Sequence, residues 1–170
     1  MIKIFYFIVF FLLMNGLSSA YAGHKKPDEY YMQIALQLAK QNPKAPFAAL
    51  IVDNATGKIL ARGLNQGSLN PTFHGEIIAI NNYAKQHPRA NWSTVSLYTT
   101  AEPCPMCQSA IIWSGIPRVV FATSINYLKT HGWNQIDITA AAVNQQASFY
   151  KGTLTGGILA DKSNVLFKKM

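Results

Sequence analysis

Three side chains of this sequence are natural ligands for a borderline-soft metal, and a fourth stands where it could move protons beside them. His74 and Glu76 are two apart in Pro71-Thr72-Phe73-His74-Gly75-Glu76. Cys104 and Cys107 are three apart in Glu102-Pro103-Cys104-Pro105-Met106-Cys107. One imidazole and two thiolates suit Zn2+, and three protein ligands leave the fourth tetrahedral position open, the pattern of a catalytic rather than a structural zinc site. Water at such a position ionises near neutral pH and becomes a nucleophile if a neighbouring base takes its proton. Glu76 is the candidate base. The C-x-x-C spacing also permits a disulfide or a thioredoxin-like pair, but that alternative gives His74 and Glu76 nothing to do.

For these groups to meet, two helix starts must lie side by side. Proline suits the first turn of a helix, so a helix is expected over residues 103–114. Its first turn would aim both sulfurs the same way, and its positive end would favour thiolates. A second helix is expected from Asn70-Pro71-Thr72 to about Gln86, with His74 near its start and Ile77, Ile78, Ile80 and Tyr83 on its buried side. Glu76, two residues on, cannot share the direction of His74 and would flank the open metal position instead.

The rest of the chain supplies a scaffold. A helix is expected over 28–41, with Tyr31, Ile34, Ala35 and Leu38 at helical spacing. The apolar run 47–52 reads as a buried strand. The turn residues Asp53-Asn54-Ala55-Thr56-Gly57 then return the chain into a second strand at 58–62, making a hairpin. Strands follow at 94–99 and 118–122. Residues 123–137 read as irregular. Asp137 is placed to cap a short helix through Ala140, Ala141 and Val143, and a weak strand at 153–159 and a helix at 161–170 end the chain. Strands alternating with helices argue a layered α/β domain over 23–170.

Residues 1–22 stand apart from that domain. Lys3, the unbroken apolar run Ile4 to Met14 and the small-x-small site Ala20-Tyr21-Ala22 read as a signal peptide cleaved after Ala22, which predicts an exported, periplasmic or secreted protein. The apolar run is 11 residues, well short of the ~20 that span a bilayer, so no lasting membrane association is expected. The chain has 15 Lys and Arg against 7 Asp and Glu, a formal charge of +8. The cations are scattered and form no basic stripe of the kind that tracks a nucleic-acid backbone.

H-x-E followed by P-C-x-x-C is the signature of the zinc deaminases. The sequence resembles the cytidine/deoxycytidylate deaminase superfamily, in its branch of guanine deaminases, tRNA adenosine deaminases and fungal-type cytosine deaminases. The likeness runs from Pro46 to Val52 through Gly63-Leu64-Asn65, Asn70 to Ile80 and Leu97 to Val120. It implies a three-layer α/β/α fold with a five-stranded mixed sheet, a homodimer, and hydrolytic loss of an amino group with Glu76 shuttling the proton. It also implies substrate contacts from Asn65, from the Gly75 N–H and from the Glu102 carbonyl. Trp113 is placed to stack on a base. The stretch His131-Gly132-Trp133-Asn134-Gln135 resembles the family's specificity loop, with Gln135 or Asp137 at the position that guanine deaminases fill with an acid. A free nucleobase or nucleoside is the expected substrate, guanine first and cytosine next, with tRNA disfavoured by export and by the scattered charge. An inactive exported zinc or redox protein is the remaining alternative.

Overall fold

The structure, a computed structural model, describes residues 26–168. The segment read as a signal peptide lies outside the described residues. Among those described, no helix is long and apolar enough to cross a membrane.

Among the described residues, five strands form one mixed sheet: β1 (Ala48–Asp53), β2 (Ile59–Leu64), β3 (Val95–Ala101), β4 (Arg118–Thr123) and β5 (Thr153–Thr155), in the order β2-β1-β3-β4-β5. β1 pairs antiparallel with β2, completing the expected hairpin, and antiparallel with β3. β3–β4 and β4–β5 are parallel. Parallel neighbours need crossover connections, and here helices supply them: α3 (Pro105–Ser114) between β3 and β4, and α4 (Ile125–Thr130) with α5 (Ala140–Gln146) between β4 and β5. α1 (Asp28–Ala39) precedes the sheet, α2 (Gly75–Gln86) joins β2 to β3, and α6 (Ala160–Leu166) ends the described chain.

Side chains alternate across a strand, so β1 feeds two cores at once. Ala49 and Ile51 pack with Leu97 and Val119 against Ala79 and Tyr83 of α2 and Ile111 of α3. Leu50 and Val52 pack with Tyr98 and Val120 against Tyr31, Met32, Ala35 and Leu36 of α1, with Leu166 of α6 at the margin. The sheet is therefore sandwiched between helices, as expected. The buried face of α2 is only partly the expected one: Tyr83 faces inward as expected, joined by Glu76 and Ala79, while Ile77, Ile78 and Ile80 are half-buried, with Ile80 packed at the margin of the core.

Other boundaries move for local reasons. Asn70, Pro71 and Thr72 make a turn rather than a helix start, because the Asn70 carboxamide oxygen accepts the Thr72 N–H. Residues 123–137 are not irregular throughout. Ser124 accepts the Tyr127 N–H and starts α4. Asp137 does not cap α5; the Thr139 hydroxyl does. β5 stops at Thr155, where Gly157 turns the chain at φ 83°.

On the α1 side, the Arg118 guanidinium pairs with Asp28 and donates to the Tyr98 hydroxyl, which itself donates to Asp28 at 2.8 Å. Burial, then the bond to Asp28, pushes the Tyr98 phenol well above its ordinary value. Burial alone pushes Tyr150 up to about 12. A raised folded-state value means that the fold prefers the neutral phenol. This stability is fully present below the unfolded value near 10 and is lost as pH rises through the folded values. The melting temperature is thus expected to hold from pH 7 to 9 and to fall between about pH 10 and 12. Melting curves across that range check this, and Tyr150→Phe should show a shallower alkaline decline.

Candidate functional site

Each helix that carries metal-binding side chains has one of them at its N-cap, in extended backbone. His74 precedes α2 at φ −69°, ψ 158°, and Cys104 precedes α3 at φ −64°, ψ 165°, with Pro105 opening the helix. Cys107 follows on the first turn of α3 and is buried. Close backbone contact seats α2 against the sheet. A methyl on Gly63 of β2 would lie 2.0 Å from the Gly75 carbonyl oxygen, and one on Gly75 would lie 2.8 Å from the Phe47 carbonyl oxygen. The missing side chain of Gly75 thus makes room for the main chain entering β1.

The three expected ligands converge. His74 Nδ1 is 3.6 Å from Cys104 Sγ and 3.6 Å from Cys107 Sγ, and the three ligand atoms lie within 4.8 Å of one another. A tetrahedral zinc with Zn–S near 2.3 Å and Zn–N near 2.0 Å would separate its nitrogen and sulfur ligands by about 3.5 Å. The donor set and its spacing therefore fit zinc. Both cysteines are free thiols rather than a disulfide.

The thiols titrate apart. Cys104 is held down at about 4, first by the hydrogen bond from Cys107 and then by His74, against the cost of burial. Cys107 is pushed up by that same bond, by burial and by the charge of Glu76. His74 is raised chiefly through its bond to Cys104. Glu76, 3 % exposed, is raised by burial and by the Cys104 thiolate, while the Thr99 hydroxyl works against the rise. Thr99 Oγ1 donates to Glu76 Oε1 at 2.8 Å, and Cys107 Sγ approaches Oε2 at 3.4 Å. A buried carboxyl whose proton affinity is raised is suited to taking up and returning a proton.

A cavity of about 230 Å³ opens over these groups, lined by Phe47, Asn65, Trp133, Asn134 and Gln135 beside His74, Glu76, Glu102 and Cys104. Asn65 is where the sequence placed it. Its Oδ1 accepts the Gly67 N–H at 3.0 Å, which leaves Nδ2 as the donor for a bound ring. Glu102 has a second role that the sequence did not reveal. Its buried carboxylate accepts the Ile125 N–H through Oε2 and the Ala140 N–H through Oε1, both at 2.9 Å. One side chain thus holds the starts of α4 and α5 and brackets the loop that walls the cavity.

Two expected residues lie elsewhere. Trp113 is 79 % exposed and packs on Phe149, with ring centroids 5.2 Å apart. It sits on the outer face of α3, whereas the zinc cysteines are at the inner start of that helix. Asp137 is ion-paired with Lys129 and its side chain is 76 % exposed, so of these two candidates Gln135 is the one that lines the cavity. The aromatic wall is Trp133 instead. Its indole N–H donates to the Phe167 carbonyl at 2.7 Å, and its ring meets Phe47 edge-on at 5.2 Å. The available signal in the sequence was a tryptophan beside the polar loop residues Asn134 and Gln135. Trp133→Ala is expected to raise KM about tenfold, the loss of roughly one good stacking contact, whereas Trp113→Ala should leave kcat/KM within about twofold. Steady-state kinetics on the two variants checks the assignment, and the reverse pattern would refute it.

A three-layer α/β sandwich with a His-Cys-Cys cluster and a buried glutamate at two helix starts defines a deaminase-type zinc-binding domain. The chain belongs to the cytidine and deoxycytidylate deaminase family, whose zinc-binding region matches residues 25–123. A tRNA-specific adenosine deaminase of Rickettsia bellii is 31% identical over 134 residues, covering 78% of this chain and 89% of that protein. A guanine deaminase of Bacillus subtilis is 33% identical over 137 residues, covering 75% and 86%. The solved guanine deaminase of Nitrosomonas europaea superposes with a TM-score of 0.73 at 25% identity, covering 85% of this chain and 84% of that one.

Proposed function

We propose that the protein is an exported, homodimeric zinc-dependent hydrolase that removes the exocyclic amino group of a free nucleobase or nucleoside, guanine favoured, and releases ammonia. The observation that carries the choice of substrate is the lining of the cavity, which among the described residues includes no lysine or arginine. A phosphorylated ligand or an RNA strand would call for cations beside its phosphates. Amides from Asn65, Asn134 and Gln135 offer both donors and acceptors to an uncharged ring edge. The volume also falls below the ~300–1,000 Å³ of pockets for drug-sized ligands. The Phe47 and Trp133 rings suit a flat bicyclic base, and two guanine deaminases are among the chain's relatives.

His74, Cys104 and Cys107 would hold zinc, which supplies Lewis acidity at the open fourth position when bound. Glu76 accepts a proton as water attacks the ring carbon that bears the amino group. It delivers that proton to the adjacent ring nitrogen, then takes the proton of the added hydroxyl and passes it to the amino group, so that the carbon–nitrogen bond breaks, ammonia leaves and a ring carbonyl forms. Asn65 and the loop from Trp133 to Gln135 orient the ring, and Glu102 keeps that loop in place. Export rests on the first 22 residues, and the mass of the mature protein tests cleavage after Ala22. The exposed Trp113–Phe149 pair supports an interface between two copies.

Ammonia release from guanine, adenine, cytosine, their nucleosides and a tRNA anticodon stem-loop tests the reading. Guanine is expected to be fastest. Release from the RNA alone would assign the chain to tRNA editing, and release from none of them would overturn the proposal.

A further inference from the structure

The two oxygens of Glu76 have different neighbours. Oε2 faces the Cys107 sulfur, a weak and longer contact at 3.4 Å. Oε1 is held by the Thr99 hydroxyl at 2.8 Å. Thr99 is 1% exposed and lies in the middle of β3, paired with Ala49 on one side and Phe121 on the other. A β-branched side chain on a central strand has little χ1 freedom, so its hydroxyl stays aimed. The next residue makes a useful contrast. The Thr100 hydroxyl joins main chain to main chain, accepting from Ala48 N–H and donating to the Pro46 carbonyl, whereas the Thr99 hydroxyl goes to the carboxylate itself.

We propose that Thr99 is a positioning residue for the reaction: by anchoring Oε1 it fixes the plane of the carboxylate and leaves Oε2 as the oxygen that carries the proton between water and substrate ring. The inference rests on Glu76 as the proton shuttle. A glutamate has three side-chain torsions, and holding its head group in the reactive orientation before substrate arrives removes an entropic cost from the barrier. The hydroxyl does not touch substrate, so its loss should appear in the chemical step and not in binding.

Thr99→Val keeps the shape and the strand preference and deletes the donor; Thr99→Ser keeps the donor. With the best substrate of the ammonia-release panel, Thr99→Val is expected to lower kcat about tenfold with KM changed less than about twofold. Zinc should stay at one per chain and the melting temperature within a few degrees, and Thr99→Ser should recover most of the rate. If the valine variant fails to accumulate, Thr99→Ala carries the same expectation. An unchanged kcat in Thr99→Val, a serine variant as slow as the valine one, or loss of zinc from Thr99→Val would each overturn the role. Glu76→Gln separates the two levels. Full turnover in that variant removes the shuttle itself, while an inactive Glu76→Gln beside a fully active Thr99→Val removes Thr99 alone.

Discussion

Glu76→Gln is expected to lower turnover by about 10³-fold while zinc stays bound, the range by which a positioned acid–base group accelerates a proton transfer. Glutamine has nearly the same shape, and its amide oxygen can still accept from Thr99. It cannot take a proton from water or return one to the ring. Glu76 is not one of the three clustered metal-ligand candidates, so the metal content should be unaffected. Because Glu76 is buried, exchanging its carboxyl for an amide also removes the cost of a buried charge, and the variant should melt at or above the parent temperature. Metal analysis, melting and single-turnover ammonia release check the three parts separately. Wild-type turnover in a zinc-loaded variant would end the assignment of Glu76 as proton carrier.

Removal of zinc should produce the second large effect. A ligand present at a thousand times its dissociation constant stabilises the folded state by about 4 kcal/mol. In a domain of this size each kcal/mol moves the melting temperature by roughly 2–4 °C, so chelation is expected to lower it by about 10 °C. Cys107→Ser should act the same way without chelator, because a hydroxyl is a far poorer zinc ligand than a thiolate. The ligands join the starts of α2 and α3, so the loss should be felt in the packing of both helices. Equal melting curves with and without chelator, together with full activity in Cys107→Ser, would exclude a zinc site here.

The chemistry was legible in the sequence because it is local. His74 and Glu76 share one turn of chain, and Cys104 and Cys107 share another. Only the meeting of the two had to be supplied by the fold, and the His74–sulfur distances of 3.6 Å supply it. The hairpin was legible for the same reason, since a turn-rich pentapeptide separates two apolar runs. What the sequence could not show depends on partners far along the chain. α4 is a single short helix with a weak pattern, held by Ser124 and by the distant Glu102. Trp113 and Trp133 are equally plausible stacking residues by type. The geometry separates them, through the outer face of α3 for one and the Phe167 carbonyl for the other. Asp137 was expected in the pocket because of its place in the loop, but Lys129 holds it on the outside.

The bracket made by Glu102 bears on how this fold can change its substrate. Ile125 and Ala140 are both anchored to one carboxylate, so the segment between them behaves as a closed insert whose base is fixed whatever its contents. The entropic cost of closing such a loop grows only with the logarithm of its length, about 0.6 kcal/mol for each doubling. Residues could be added, removed or exchanged in the exposed part of the insert, away from the buried Ile125 and Leu128, without unseating the base from which it springs. The loop from Trp133 to Gln135 is in that sense a replaceable cassette set beside Phe47 and Asn65, which lie outside it, and grafting the corresponding insert from a relative is expected to alter selectivity while leaving the metal-ligand cluster in place.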